Sequence, residues 1–510
     1  MSQTVPQDPT ASGPPGDAGR PNVVIVCVDQ WRGDCLSGEG HPDVETPYLD
    51  QLAGRGATMT QAYSATPTCV PARMSLMTGL SQGSHRRVGY RDGVDFDVGA
   101  TLPRAFRDAG YQTQAIGKMH YWPERVRIGF DDVLLHDGYL HHSRRRERDA
   151  ALYDDYLTWL REQAGTSAVE DYIDDGIECN SVVARPWDKP ERLHPTNWVA
   201  SEAIRWLYRR DPTVPFLLYL SFHRPHAPYD PPQWAFDRYD HGGLEPPVVG
   251  DWEEEAYGER RRDWDPTSHV ARYRDRDVQR ARAGYYGHMT HIDTQVSRVL
   301  QALGEFGVLE NTYVVFVSDH GDMMGDHDLW RKGYPYEGSA RIPFLIAGPD
   351  VCPGTRCEEV VELRDLMPTL LELAGIDVPH GVEGRSLASR LRGQGAGPWR
   401  DYLHGEHVLF EQSLQWIRWR SQAPENHALK YVWWSQDGRE QLFDLTEDPG
   451  ELHDRATDPT AATHLEAGRQ ALVNELTGRE EGFVVDGRLL PRRPVSTLLT
   501  RAHPPTEQAR

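Results

Sequence analysis

The sequence predicts an α/β protein in which a large, mostly parallel sheet lies between layers of helices, followed by a smaller C-terminal α+β subdomain that carries an antiparallel sheet. Three observations support this. Short apolar runs end in polar clusters, helical periodicity fills the stretches between them, and the last quarter of the chain changes to a hairpin pattern.

The first run, Asn22-Val23-Val24-Ile25-Val26-Cys27-Val28, is apolar almost throughout, as expected of a strand covered on both faces of a parallel sheet. It ends at Asp29-Gln30. Gln112 to Ile116 runs into Gly117-Lys118-Met119-His120, Pro215 to Phe222 stops near His226, and Thr312 to Ser318 runs into Asp319-His320. In a doubly wound sheet ligands sit beyond the carboxyl ends of the strands, so these clusters are expected to converge. Between strands, Met289, Ile292, Val296, Val299, Leu300 and Leu303 recur at helical spacing, and Gly304 and Gly307 mark the end. A second helix is expected from Asp365, as its cap, through Leu366, Leu370, Leu371 and Leu373 to Gly375.

Near the C-terminus, Lys430 to Trp434 and Gln441 to Leu445 flank the turn-like Gln436-Asp437-Gly438, which predicts an antiparallel hairpin. The expected organisation is a disordered tail over 1–20, a catalytic domain over 21–397, a subdomain over 398–487 and a second disordered tail over 488–510. No repeat of solenoid or propeller length is present.

At 510 residues, with 38% hydrophobic and 10% aromatic residues, the chain can bury a large core. Its net charge of -22, from 55 basic and 77 acidic residues, argues against nucleic acid or an anionic membrane as partner. An anionic substrate stays compatible with that charge, because a divalent metal and a few cations invert the field inside one pocket. Residues 1–20 are rich in Pro, Gly, Ser and Thr and contain no apolar core, so they do not read as a signal peptide. Without a membrane-length apolar run either, the expected location is cytoplasmic. The six cysteines show no zinc spacing; Cys352 and Cys357 would pair only in an oxidising compartment, and free thiols are expected.

The richest segment is Cys69-Val70-Pro71-Ala72-Arg73-Met74-Ser75-Leu76-Met77-Thr78-Gly79. Pro71 suits the first turn of a helix and Gly79 its end, so free N–H groups beside Cys69 would face a sulfate or phosphate. Arg73, four residues on, can share that face. Asp29 and Asp319-His320 add two carboxylates and an imidazole at strand ends, a rigid way to hold a divalent cation.

The Cys69 segment resembles the signature of the formylglycine-dependent sulfatases, Cys-x-Pro-x-Arg followed by Leu-x-Thr-Gly, with Leu76, Thr78 and Gly79 matching the second half. Ser318-Asp319-His320-Gly321-Asp322-Met323-Met324-Gly325-Asp326-His327, with Lys332 after it, resembles the metal segment of that family. Lys118 and His120 match its Gly-Lys-x-His, and His226 its Pro-His-x-Pro. The resemblance covers about 21–476 and implies an alkaline-phosphatase-like α/β/α sandwich with a small C-terminal sheet that helps close the pocket.

It further implies that Asp29, Asp319 and His320 bind one divalent metal together with the formylglycine oxygen formed at Cys69 by a formylglycine-generating enzyme. Gln30 stands where most members carry a second aspartate, and keeps a carbonyl oxygen to offer; His320 stands where many carry asparagine. One negative charge is thereby lost, and the imidazole adds manganese to calcium as a candidate. Both choices look like the choline-sulfatase and phosphonate monoester hydrolase branches. Nothing places Arg144-Arg145-Arg146 at the site, so that run is expected on a solvated face.

The function so implied is hydrolysis of a sulfate monoester of an aryl, sugar or small alcohol to the alcohol and inorganic sulfate. One hydroxyl of the aldehyde hydrate at position 69, stabilised by metal and Arg73, attacks sulfur while His226 or Lys332 assists the leaving alcohol. His120 then takes the proton of the second hydroxyl, and Lys118 and Lys332 hold the non-bridging oxygens. The same residues also fit a phosphonate monoester hydrolase or phosphodiesterase, or a binding protein if Cys69 is never converted. The stretches 131–194 and 240–274 are expected to shape the pocket, without a readable specificity code, and oligomeric state is not legible.

Overall fold

The first apolar run forms β1 (Asn22–Asp29), and all eight of its residues are buried. Val24, Val26 and Val28 enter one hydrophobic core while Val23, Ile25 and Cys27 enter another, because alternate residues of a strand point to opposite faces. Each such side chain contributes about 1.5–3 kcal/mol on burial, so this strand ties the two layers together. The structure is a computed structural model and describes residues 19–138, 149–174, 176–395, 397–421 and 426–510.

Seven further strands complete the large sheet: β2 (Ala57–Tyr63), β3 (Gln112–Gly117), β4 (Asp132–Leu135), β5 (Phe216–Pro225), β6 (Thr312–Ser318), β7 (Phe344–Ala347) and β8 (Thr355–Glu362). Their order is β4-β3-β5-β1-β6-β7-β2-β8. The pairs from β4 to β6 are all parallel, β7 runs antiparallel to both neighbours, and β2 pairs parallel with β8. The four expected strands therefore lie side by side as β3, β5, β1 and β6, and their polar ends share one edge.

The periodic segment lies in the long helix Asp275–Glu305, where Met289, Ile292, Val296, Val299 and Leu303 bury into the first core. The helix expected near Asp365 spans Leu366–Leu373, and Gly375 follows with φ +67°. Asp365 is not its side-chain cap: the carboxylate accepts from the Glu362 N–H at 2.9 Å and is held by Arg400, which closes the preceding 3-10 turn instead.

A second sheet contains β9 (Tyr402–Leu409), β10 (Gln412–Arg420), β11 (Ala428–Trp434) and β12 (Glu440–Asp444), all antiparallel in the order β12-β11-β10-β9. The expected hairpin is β11 and β12. One face packs Leu414, Trp416, Val432 and Trp434 against Tyr63, Trp252, Tyr257 and Tyr336 of the large domain. The other packs Ile417, Tyr431 and Trp433 on the helix Ala462–Leu476.

Residues 488–510, expected as a disordered tail, are an ordered strap. Arg488–Leu489 pairs with Val484–Val485, the Thr497 carbonyl accepts from Val88 N–H at 3.0 Å, and the Gly83 carbonyl accepts from His503 N–H at 2.9 Å. Leu499 and Ala509 are each 1% exposed. Two apolar anchors and borrowed backbone partners order a segment whose composition alone would not. The first eighteen residues of the N-terminal tail and the Arg144-Arg145-Arg146 run lie outside the described residues. No helix among the described residues is long and apolar enough to cross a membrane.

Candidate active site

Cys69 opens the helix Cys69–Thr78, which Thr68 precedes in extended backbone and Gly79 closes at φ +66°. Every residue of that helix is buried, so the anion-facing N-terminus lies inside the protein at the carboxyl edge of the large sheet. β1 ends in Asp29, β6 in Asp319-His320, β3 in Gly117 before Lys118, and β5 just before His226. Gly117 is required where it stands: at φ +102° an added Cβ would lie 1.9 Å from the Ser221 carbonyl, to which Lys118 N–H donates at 2.9 Å.

The Cys69 Sγ lies 3.2 Å from His320 Nε2, 3.7 Å from Asp29 Oδ1 and 3.6 Å from Lys118 Nζ. One ligand atom each from Asp29, Cys69, Asp319 and His320 falls within 4.8 Å of all the others, and all four residues are buried. The donor set suits a divalent cation. His320 Nδ1 lies 2.9 Å from the Gly321 carbonyl and donates there, and its Nε2 faces Asp29 Oδ1, 3.4 Å away. Burial opposes a charge on this ring, but Asp319 and Cys69 outweigh it and raise the His320 pKa; a cation among these groups would take the place of that proton.

Cations surround this group. Lys118 forms a fully buried ion pair with Asp29. Arg73 donates from Nε to Asp319 at 2.8 Å and from Nη1 to the Lys118 carbonyl, Tyr219 and Ser221. The guanidinium expected to face a substrate thus spends most of its donors on the scaffold. Lys332 Nζ lies 2.6 Å from His226 Nε2 and donates to Gln30 Oε1. His226 Nδ1 donates to the Ala227 carbonyl at 2.8 Å, so its Nε2 is the acceptor and Lys332 holds the proton.

The electrostatics follow from this packing. Burial and Asp29 oppose a thiolate at Cys69, but Lys118, Lys332 and His320 outweigh them and hold its pKa well below the ordinary thiol value. Burial, then Lys332, keeps His226 well below the usual histidine range. At His120 burial is overcome by hydrogen bonds to Asp92 and Cys69, and the pKa is raised. The Gln30 carbonyl is taken by Lys332, and its amide nitrogen donates to Asp322.

Comparison with known proteins decides the family. Residues 21–376 match the sulfatase family, and residues 325–477 match the C-terminal region of N-sulphoglucosamine sulphohydrolase. The chain belongs to the sulfatase family. It is 47% identical to an arylsulfatase of Clostridium perfringens over 94% of this chain and 99% of that one, and 31% identical to a choline-sulfatase of Rhizobium meliloti over 86% and 83%. Among solved structures, the phosphonate monoester hydrolase of Agrobacterium radiobacter superposes with a TM-score of 0.72 at 28% identity, covering 88% of this chain and 94% of that one. The fold is the alkaline-phosphatase-like sandwich, and the protein is a sulfuric ester hydrolase.

All ten residues expected at the site of this sulfatase line or support one buried cluster. Sequence reading gave no role to Asp322, which accepts from Gln30 and Tyr229, although the residue sits inside the quoted metal segment. It also missed His223, whose Nδ1 is 3.8 Å from Asp29 and whose ring lies against His226. Asp92, 3.4 Å from His120 Nε2, comes from a loop with no pattern to announce it.

Proposed function

We propose that this sulfatase hydrolyses aryl sulfate monoesters, with position 69 matured to formylglycine by a formylglycine-generating enzyme and one divalent cation held by Asp29, Asp319, His320 and the residue at position 69, beside Gln30. The observation that carries the reading is the position of Cys69 at a buried helix N-terminus, within 3.7 Å of two cation-ligand candidates and of Lys118. The 47% identity to an arylsulfatase supports the aryl leaving group.

The cation, when bound, supplies Lewis-acid stabilisation of negative charge developing at position 69 and on the sulfuryl oxygens. Formylglycine supplies, as its hydrate, the hydroxyl nucleophile that a cysteine lacks. The chain's own groups do the rest. Lys118 and Lys332 hold the non-bridging oxygens as charge redistributes. Lys332 also carries the proton that the departing phenolate oxygen needs, and His226 Nε2 accepts from it and fixes its direction. His120, held by Asp92, is the base for the second hydroxyl. Calcium and manganese both suit two carboxylates, with manganese favoured by the imidazole.

The test is kcat/KM on one metal-replete preparation for an aryl sulfate, choline sulfate and a phosphonate monoester. The aryl sulfate should lead. A phosphonate monoester ahead of it would move the protein to the second branch, which the 0.72 superposition on a phosphonate monoester hydrolase favours.

A further inference from the structure

Gln30 brings an amide to the cation cluster, and the two ends of an amide act oppositely. Only the oxygen can face a cation. Two neighbours of opposite character settle which end lies where. Lys332 Nζ, a donor only, bonds to Gln30 Oε1, and the Asp322 carboxylate, an acceptor only, takes a hydrogen bond from Gln30 Nε2. The carbonyl therefore lies on the side of Lys332, the lysine whose charge acts on Asp29 and Cys69, and it keeps a second lone pair. The backbone of Gln30 is pinned as well: its N–H donates to Asp319 Oδ1 at 3.1 Å, its carbonyl accepts from Tyr285 at 2.6 Å, and φ is +73°. A glutamine stays at such a φ only where its surroundings over-determine it.

Asp322 is completely buried, and four neutral donors converge on it. Oδ1 takes the backbone N–H groups of Met324 and Arg331 at 2.9 and 2.8 Å, and Oδ2 takes the Tyr229 hydroxyl at 3.1 Å together with the Gln30 amide. Asp29 and Asp319 differ, since each is paired with a buried cation, Lys118 and Arg73 respectively. The negative charge of Asp322 is not cancelled in that way. It draws on the Gln30 N–H and leaves more negative charge on the oxygen at the other end of the amide.

We propose that Asp322 is a positioning residue that holds the Gln30 amide with its oxygen toward the cation site and strengthens that oxygen as a ligand. The inference rests on the cation site of the proposed function and adds the carboxylate behind it.

The experiment exchanges the two ends of the contact. In Asp322→Asn, the Met324 and Arg331 N–H groups keep the amide oxygen, so the new nitrogen meets Gln30 Nε2 and turns that amide over. In Gln30→Glu/Asp322→Asn, the glutamate accepts from the asparagine and again offers an oxygen to the cation. Full-length protein stripped by a chelator is titrated calorimetrically with calcium and with manganese, and thermal unfolding of the metal-free forms checks the fold. Asp322→Asn should weaken binding by about ten- to a hundredfold. The double variant should recover it, and the gain from Gln30→Glu should be about tenfold larger in the Asp322→Asn background than in the unmutated one, where two carboxylates face each other. An unchanged affinity in Asp322→Asn, or an equal gain from Gln30→Glu in both backgrounds, overturns the inference and leaves the cation site standing. Failure of the unmutated protein to bind either ion removes both. Should Asp322→Asn alone not fold, the double variant is compared with Gln30→Glu, and a double variant that binds no more tightly overturns the inference.

Discussion

Arg73 Nε donates to Asp319 Oδ2 at 2.8 Å, with both side chains fully buried. The pair joins the anion end of the helix Cys69–Thr78 to the carboxyl end of β6, and Arg73 Nη1 extends it to the Lys118 carbonyl beyond β3. One guanidinium therefore fixes a carboxylate of the candidate cation site and the backbone that aims Lys118.

Arg73→Ala should lower kcat by roughly a hundredfold or more, and stability with it, because breaking a buried pair costs roughly 3–5 kcal/mol. Arg73→Lys should not rescue, since one ammonium cannot reach Asp319, Lys118, Tyr219 and Ser221 in a fixed fork. Steady-state kinetics and urea unfolding of both variants measure this. A wild-type kcat in either would refute the account.

Removal of divalent metal with a chelator should abolish activity, and Asp29→Asn and Asp319→Asn should do the same while leaving soluble protein. The four-residue donor set motivates the expectation. Calcium and manganese should each restore rate to chelated wild-type enzyme. Full activity in protein shown by elemental analysis to hold no metal is the contrary outcome.

How far the sequence reached is clear from particular residues. The apolar runs of β1, β3, β5 and β6 were legible because strands covered on both faces admit few polar residues, and their ends led to Asp29, Lys118, His226 and Asp319. β7, antiparallel within the sheet, and the short β4 were not, because four-residue strands carry too little pattern. The strap over 488–510 was missed for a different reason: its order comes from distant partners such as Val88 and Gly83, which composition does not record. Arg73 shows the limit at the site itself. Spacing put it near the anion pocket, but only the fold shows its donors turned to Asp319 and to the Lys118 backbone.

Lys332→Ala should cost roughly a hundredfold in kcat on an ester with a poor leaving group and much less on one whose phenol is strongly acidic. The 2.6 Å contact with His226, whose Nε2 is the acceptor, makes Lys332 the proton donor of the pair. A leaving-group series run on wild type and variant gives the two slopes. Identical slopes would leave Lys332 as a holder of sulfuryl oxygens only.

Stability should fall on mild acidification, in part through His85. Burial, then the Arg87 charge, pushes its pKa down to about 3, while its Nε2 lies 3.0 Å from Ser75 Oγ and its Nδ1 accepts from the Arg87 N–H. Between the unfolded value of 6.5 and about 3 the unfolded chain holds a proton that the folded protein excludes. The contribution is fully present above pH 6.5 and is lost as pH falls, by at most about 1.4 kcal/mol per pH unit for one proton. His85→Asn, whose carbonyl oxygen can take the place of Nδ1, should flatten this acid limb in urea titrations at pH 7.5 and 5. An unchanged slope would remove His85 from the explanation.

The mechanism proposed above rests on position 69. An ordinary thiol attacking sulfur would leave an S-sulfonated enzyme with no hydroxyl to expel the group, whereas an aldehyde hydrate has a second hydroxyl beside His120. Active protein should therefore carry formylglycine in place of Cys69, and mass spectrometry of the peptide spanning it should show the mass lowered by exchange of the thiol-bearing methylene for an aldehyde. Cys69→Ala should fold, because the helix keeps Thr68 before it and Gly79 after it, and should be catalytically dead. A fully active preparation with only unmodified cysteine would take the nucleophile's role away from position 69; a cation held by Asp29, Asp319 and His320 would then supply activation of water.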